Sequence, residues 1–362
     1  MTPLVSLAKI DEAVATSRLR YNSTQGELLS YGRAADIDNK RSKGKVKIAA
    51  FPGGACGESL RLVRMRSEYY GWENKNGVEL EASDFSNGET AWWAGDGAPI
   101  DQVCFAETLD ERSTFLAIRL PTSTLFFRPL YRRHPVPPGN VRLGRTYSPS
   151  KLEANQILEV SMSLTGTFPH ADVTFNPWYQ RQCAIIDQRS KWLIIDIEGQ
   201  KRKRPTYRAA LGQSGYVADM VASEDKMTPH PHDDGWARII WAGDVNTIIV
   251  CNRRHMAAID VRGKSKQLAH PDMGTARSSD QILDVRRSPK HLDHIFVLTS
   301  SRVFWLRIVG TSGLDQQDNT SAGAHTLLRW NHFRDAENLS LRLSVVAEDK
   351  GILDTLCPFS VN

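Results

Sequence analysis

The chain has 362 residues, of which 41% are hydrophobic and 24% charged, a composition typical of a folded globular protein. No run approaches the roughly 18 apolar residues of a membrane span, and charges interrupt the first 20 residues, so we expect neither a membrane helix nor a secretory signal. The net charge of +5 permits a phosphate-bearing partner without requiring one. The five cysteines are widely spaced with no CxxC pair, which predicts reduced thiols and argues against a structural zinc site.

The beginning of the chain predicts an irregular, partly flexible lead-in over residues 1–46, which ends near the basic run NKRSKGKVK. From residue 47 to residue 356 the chain is a series of short strand-like runs separated by polar loops, followed by a tail over residues 357–362. The best helical candidate is Ser150–Leu164. The alternation of apolar residues at its end favours a strand there.

An internal repeat is the strongest pattern in the sequence. Three copies have five mostly apolar residues, a four-residue polar turn, a second apolar run and a glycine. Three 17-residue copies align without a gap, and a fourth has one extra turn residue: Cys183–Gly199, Thr247–Gly263, His294–Gly310 and Thr114–Tyr131. Each copy predicts a β-hairpin rich in β-branched and aromatic residues.

The segments before the hairpins predict a further strand. Asp172-Val173 precedes the first copy, Trp236–Trp241 the second, and Asp284-Val285 the third. A strand followed by a hairpin is the layout of a WD40 blade of about 40–45 residues. Weaker pairs of runs predict an early blade and a last blade: Ile48–Phe51 with Leu60–Arg66, and Leu327–Trp330 with Leu339–Val346.

These elements predict an all-β protein, a divergent WD40-like β-propeller of six or seven blades over residues 47–356. A hairpin cannot bury both of its faces alone, whereas blades packed around a ring bury both and shield the strand edges. A pair of β-sandwiches is the alternative. No Trp-Asp or Gly-His dipeptide occurs, so the usual WD40 hydrogen-bond network is not assumed. We expect five side chains to be buried: Trp192, Ile195, Ile259, Trp305 and Leu306.

A search for catalytic chemistry finds no convincing constellation. The glycine-rich stretch Gly53–Ser59 lacks the lysine of a phosphate-binding loop, and Gly212–Gly215 lacks the spacing of a nucleophile elbow. His230–Asp234 offers ligand types for a metal, but its prolines and the following glycine favour a loop between blades. The sequence therefore predicts no enzyme activity, no catalytic residues, no cofactor and no bound metal.

Basic clusters are the remaining candidates for a binding site. The strongest is the loop Lys201, Arg202, Lys203 and Arg204, which follows the glycine that ends a hairpin. It is interpreted as a contact to phosphates or to an acidic partner, as a nuclear-import signal, or as a solvated loop. Three further basic groups occur in the repeats: Arg132-Arg133-His134, Arg253-Arg254-His255 and Arg286-Arg287.

Four strings, in order along residues 48–310, carry a family resemblance: Ile48–Gly54, Phe115–Arg119 with Phe127–Tyr131, Asp172–Trp178, and Asp234–Ile239 through Cys251–Arg254. Together they resemble the WD40-bearing large subunit of fungal core factor, the initiation factor specific to RNA polymerase I. The family continues past its propeller into a helical region, so this chain resembles the N-terminal propeller portion or a truncated product.

The resemblance implies a non-enzymatic scaffold in the nucleus, at the nucleolus. The implied partners are a TFIIB-like subunit, a helical-repeat subunit, the TATA-binding protein and RNA polymerase I. It also implies that the ribosomal DNA promoter is reached through the complex. The alternative is a generic WD40 adaptor in another assembly, such as a ubiquitin-ligase receptor or a chromatin reader.

Overall fold

The computed structural model describes residues 22–38, 45–71, 79–85, 88–95, 97–107, 113–137, 148–199, 206–217, 234–262, 265–271, 273, 275, 280–311, 321–347 and 354–360. These residues form 26 strands and one short helix, α1 (Met162–Thr165), so the predicted all-β class is confirmed. The chain divides into two compact units, which we describe separately. The first is built mainly from Gly26–Val160, and the second mainly from Ser161–Glu198 and Arg208–Asn362.

The first unit contains a six-stranded sheet, a four-stranded sheet and a separate hairpin. Its strands are β1 (Ser30–Asp36), β2 (Lys45–Gly53), β3 (Ser59–Arg64), β4 (Arg66–Gly71), β5 (Glu79–Asp84), β6 (Thr90–Ala94), β7 (Gln102–Phe105), β8 (Leu116–Arg119), β9 (Ser123–Phe127), β10 (Leu130–Val136), β11 (Ser150–Glu153) and β12 (Gln156–Ser161). The strand orders are β11-β10-β1-β2-β3-β6 and β12-β9-β8-β7, and β4 pairs with β5. In the larger sheet, β1 and β10 are parallel and the other pairs are antiparallel.

Strand β1 lies inside the segment predicted as a lead-in. It pairs along its length with β2, and Ala34 is completely buried in the core of the first unit. The sequence SYGRAAD has no β-branched residue, so its strand character comes from backbone pairing and small buried side chains. The predicted domain limits at residues 47 and 356 stay predictions.

The second unit contains three four-stranded sheets and one hairpin. Its strands are β13 (His170–Phe175), β14 (Gln182–Asp187), β15 (Lys191–Gly199), β16 (Tyr207–Tyr216), β17 (Ala237–Trp241), β18 (Thr247–Asn252), β19 (Met256–Asp260), β20 (Lys266–Leu268), β21 (Ile282–Arg287), β22 (His294–Thr299), β23 (Arg302–Val309), β24 (Gly323–Asn331), β25 (Leu341–Ala347) and β26 (Asp354–Ser360). Sheets β13–β16, β17–β20 and β21–β24 follow chain order, and β25 pairs with β26.

The repeated hairpins are the two middle strands of the four-stranded sheets, as predicted. They form the pairs β8–β9, β14–β15, β18–β19 and β22–β23. The segments predicted to precede the three gapless copies are the first strands β13, β17 and β21. Ser150–Leu164 contains two strands, β11 and β12, before the short helix α1.

One predicted pairing is wrong. The sequence pattern places Leu327–Trp330 in the last blade together with Leu339–Val346, but this run lies in β24 and pairs with β23. It completes the sheet that begins at β21, whereas Leu341–Ala347 pairs with Asp354–Ser360. The cause is the long interval between β23 and β24, which separates the fourth strand from its own hairpin in the sequence.

The cores are formed by apolar residues from both faces of the middle strands. Every residue from Cys183 to Asp187 is buried, as expected for strands covered on both sides. Trp192, Ile195, Ile259 and Leu306 are buried as predicted, whereas Trp305 is half-buried. Trp305 pairs across the sheet with Leu328 of β24, a strand whose middle residues are exposed.

Candidate interaction surface

The glycine-rich stretch Gly53–Ser59 is the turn between β2 and β3. Gly54 has a φ of +88°, a conformation that favours glycine. The carboxylate of Glu58 accepts the backbone N–H of Cys56 at 3.0 Å, and the Gly57 N–H donates to the Gly54 carbonyl at 3.4 Å. In a phosphate-binding loop the backbone N–H groups point at the phosphate, whereas here the Glu58 carboxylate takes one of these N–H groups. The contact supports the interpretation of the stretch as a turn. The other glycine candidate, Gly212–Gly215, lies within β16.

Within the described ranges, no group of three or more His, Cys, Asp or Glu side chains is arranged to hold a metal ion. Residues 230–233 of the predicted loop lie outside those ranges, and Asp234 binds an arginine. No helix of the described part is long and apolar enough to cross a membrane. The absence of a metal, a cofactor and catalysis stays a prediction.

The basic loop Lys201, Arg202, Lys203 and Arg204 lies outside the described residues. Its role as a phosphate-binding or partner-binding loop therefore stays a prediction.

Three arginines from the other basic clusters are committed to internal contacts. Arg132 donates to Glu153 at 2.7 Å, Arg286 donates to Asp284 at 2.9 Å, and Arg287 donates to the Trp241 carbonyl at 3.0 Å. Arg132 thus joins β10 to β11 and Arg287 joins β21 to β17, whereas Arg286 pairs with an acid of its own strand.

Among the arginines of the basic clusters, Arg253 makes the most extensive internal contacts, although it lies in the turn between β18 and β19. Its side chain is 7% exposed and donates to Asp234 at 2.7 Å and to the Ile282 carbonyl at 3.0 Å. The guanidinium also lies 4.6 Å from the ring centre of Trp236. Such a bidentate, stacked arginine fixes the turn against the starts of β17 and β21.

Buried charges alternate along the first strands of the second unit, a feature that the sequence analysis missed. The equivalent position of four successive sheets holds an acid, a base, an acid and a base: Asp172 on β13, Arg238 on β17, Asp284 on β21 and Arg342 on β25. All four side chains are buried. We call this set the first-strand charges.

Each acid of the first-strand charges binds the next first strand. Asp172 accepts the backbone N–H of Ile239 at 3.0 Å, and Asp284 accepts that of Leu343 at 3.0 Å. Each donor follows the arginine of its own strand. Arg238 also lies 3.6 Å from Asp172. The acids therefore join successive sheets by hydrogen bonds as well as by charge.

The electrostatics of Asp284 show that its carboxylate is stabilised. Burial alone would raise its pKa, but the positive charges of Arg286, Arg238 and Arg342 and the hydrogen bond from Leu343 lower it below 3.8. For Asp187, the last residue of β14, the effect of burial on the pKa outweighs the opposing interactions. Burial raises its pKa in spite of the backbone hydrogen bonds from Lys191 and Arg189.

The first-strand charges could have been found by extending the repeat. The hairpin alignment already placed Asp172-Val173 and Asp284-Val285 at corresponding positions. Carrying it to Arg238-Ile239 and Arg342-Leu343 shows the alternation of sign. The signal was overlooked because a charged residue in a strand usually indicates a solvent-facing position.

Exposed apolar side chains mark the surface of the second unit elsewhere. Leu327 and Leu328 of β24 are 47% and 52% exposed, and Phe333 is 91% exposed. The charged side chains of the first strands are thus buried, whereas apolar side chains of an outer strand face solvent. A contiguous exposed apolar surface is typical of a protein interaction site.

Comparison with known proteins identifies a family and a fold. A family model described as Rrn6, beta-propeller matches residues 22–359. A search of curated proteins finds no match. Among solved structures, a chain of the core factor of S. cerevisiae is similar over 94% of this chain, with 15% identity and a TM-score of 0.61.

This chain spans about half the length of that core-factor chain, 47%. The beta-propeller domain of Cps50 (Swd1) from Myceliophteria thermophila is also similar, over 94% of this chain and 81% of that domain, with 11% identity and a TM-score of 0.45. The structural similarity shows the fold, a WD40-like propeller, and the family model covers nearly the whole chain. The chain therefore belongs to the Rrn6 beta-propeller family.

Proposed function

We propose that this chain is the propeller of a core-factor-like large subunit, a non-enzymatic scaffold that supports RNA polymerase I initiation. The observation that carries the proposal is the family match over residues 22–359. The likeness in fold to a chain of S. cerevisiae core factor supports it. In this proposal the scaffold comprises residues 47–356, preceded by a lead-in and followed by a short tail, and it works in the nucleus, at the nucleolus.

The proposed partners are a TFIIB-like subunit, a helical-repeat subunit, the TATA-binding protein and RNA polymerase I. The charge distribution supports binding through protein contacts. Arg132, Arg253 and Arg286 are engaged internally, so these parts of the basic clusters offer little to a DNA backbone. The ribosomal DNA promoter is then reached chiefly through the assembly.

Affinity purification of the tagged chain from its source cells, with quantitative mass spectrometry against an untagged control, tests this function. We expect enrichment of the TFIIB-like and helical-repeat subunits and of RNA polymerase I subunits. Enrichment of a ubiquitin ligase or a chromatin complex in their place would establish the adaptor alternative.

Direct DNA contact is proposed for the basic loop alone. Four adjacent cations, Lys201 to Arg204, neutralise about two to four phosphates, so replacing all four by alanine is expected to make the slope of log K against log salt shallower by about two to four. The loss should be equal on promoter and random duplexes. An unchanged slope would assign the loop to protein partners, nuclear import or solvent exposure.

A further inference from the structure

The outer strand β24 has an edge that no described strand covers along most of its length. It pairs with β23 from Val309↔Gly323 to Arg302↔Asn331. On its other side the described residues supply one bridge, between Gly323 and Ala269, at the very start of the strand. Four consecutive residues further along, Thr326 to Arg329, are exposed. The backbone groups of such an edge are a template for another strand.

The exposed part of β24 is apolar and irregular. Trp305 is opposite Leu328 while Leu306 is opposite Thr326, so Leu327 is an extra residue in a β-bulge. Leu328 stands next to the half-buried Trp305 on the sheet. Bulges are frequent at sheet edges next to functional sites, where they redirect a side chain.

Positive charge lies beside this apolar surface. Arg302 and Arg329, with Trp330 and Asn331, line a cavity of about 350 Å³. No ion pair involves either guanidinium group within the described ranges, in contrast to the paired arginines of the first strands. Two cations next to exposed leucines complement a ligand that presents carboxylates and apolar side chains together.

The other long outer strand of the second unit provides a comparison. On β16, Arg208 lies 2.5 Å from Glu198, so its charge is already paired across the sheet. β20 has three residues and offers little edge. Among the outer strands of the three four-stranded sheets, β24 therefore combines a long edge, exposed leucines and, with Arg302 of the adjacent β23, two arginines outside any ion pair of the described residues.

We propose that the outer edge of β24 docks an extended segment of a partner protein with alternating acidic and apolar side chains, added as a further strand. Backbone hydrogen bonds along the edge would supply affinity, and the leucines and arginines would supply specificity. A second copy of this chain is a poorer occupant, because its own β24 would bring arginines against arginines. The inference does not depend on the partners proposed above.

The test uses the full chain and a fluorescein-labelled eight-residue peptide of alternating glutamate and leucine, followed by fluorescence anisotropy. We expect saturable binding that weakens as salt rises. Replacing the glutamates by lysine, or methylating the peptide nitrogens, should abolish it. Arg329→Glu should weaken binding about three- to tenfold, since it turns an exposed attraction into a repulsion.

The matched control is Arg208→Glu, the same charge reversal on the outer strand β16. It should leave peptide affinity within about twofold, and both variants should melt within about 2 °C of the native chain. Equal binding of the glutamate and lysine peptides, or equal losses in the two variants, would overturn the proposal. Self-association of the chain that Arg329→Glu changes would also overturn it, in favour of a second copy. Because no cellular partner is present, failure here is distinct from failure of the proposed function.

Discussion

The first strands and the outer strand β24 of the second unit reverse the usual distribution of polarity. On the first strands, Asp172, Arg238 and Asp284 are buried, and charge pairing and backbone hydrogen bonds satisfy them. On β24, Leu327 and Leu328 face solvent. Because a buried charge is tolerated only when it is paired, the first strands depend on one another. The exposed leucines need no partner on another strand, because apolar side chains in solvent carry no charge that must be paired.

This difference separates the residues that hold the fold from those available to partners. Because the first-strand charges are buried and paired with one another, substituting one of them should lower the free energy of unfolding. We expect these residues to determine the stability of the fold. Substitutions of the exposed residues of β24 should change the free energy of unfolding of the isolated chain very little. We expect these residues to determine binding to partners. The following predictions test that separation, from the largest expected effect to the smallest.

Asp284→Ala should be the most damaging single change among these. It removes the acceptor of the Leu343 N–H and the ion-pair partner of Arg286. It also removes the negative charge that attracts the guanidinium groups of Arg238 and Arg342. Loss of one member of a buried charge network costs about 3–5 kcal/mol. Urea denaturation gives the change in the free energy of unfolding.

The control for this change is Asp293→Ala, which removes an acid from the exposed pair with Arg307. Its effect should be within about 1 kcal/mol. Similar losses in the two variants would contradict the special role of the first-strand charges.

The reactivity of the cysteines should distinguish buried from accessible positions without any substitution. Burial raises the pKa of Cys251, whose Sγ lies 3.8 Å from the Arg238 carbonyl of the adjacent first strand. Cys251 and the buried Cys183 should resist iodoacetamide in the native state, whereas the half-buried Cys56 and Cys104 should react. Peptide mass spectrometry measures each site. Rapid native labelling of Cys251 would show that β17 and β18 separate readily.

The pH dependence of stability should contain a contribution from His255, in the turn before β19. Burial, followed by the positive charges of Arg254 and His270, lowers its pKa from 6.5. The unfolded chain then binds more protons between pH 6.5 and the lowered pKa, so stability falls as pH falls through that window and levels off below it. His255→Gln should flatten this part of the profile of unfolding free energy against pH. An unchanged profile would assign the slope to other groups.

Replacing Leu327 and Leu328 of β24 by serine should have the smallest effect on the isolated chain. Surface substitutions usually change the free energy of unfolding by less than about 0.5 kcal/mol each. The same variant should lose binding of the glutamate–leucine peptide. A loss of several kcal/mol in stability would mean that these side chains belong to the core and would contradict the comparison.

Local patterns predicted the hairpins well, because five apolar residues, a polar turn and a second apolar run specify both strands and their connection. They failed for β1, which contains small and charged residues, and for the pairing of β24, which a long interval separates from its hairpin. The first-strand charges were missed for a different reason. Asp284 and its donor Leu343 are 59 residues apart, so their hydrogen bond follows from the packing of sheets and not from any local pattern.

Hydrogen–deuterium exchange of the chain, alone and in the assembly with which it co-purifies, tests most directly whether the outer strand binds partners while the first strands hold the fold. We expect the amides of β24 to exchange at least about tenfold more slowly in the assembly than in the isolated chain. The amides of β13, β17 and β21 should be protected equally in both samples. Unchanged exchange in β24, together with new protection of the first strands, would contradict this expectation.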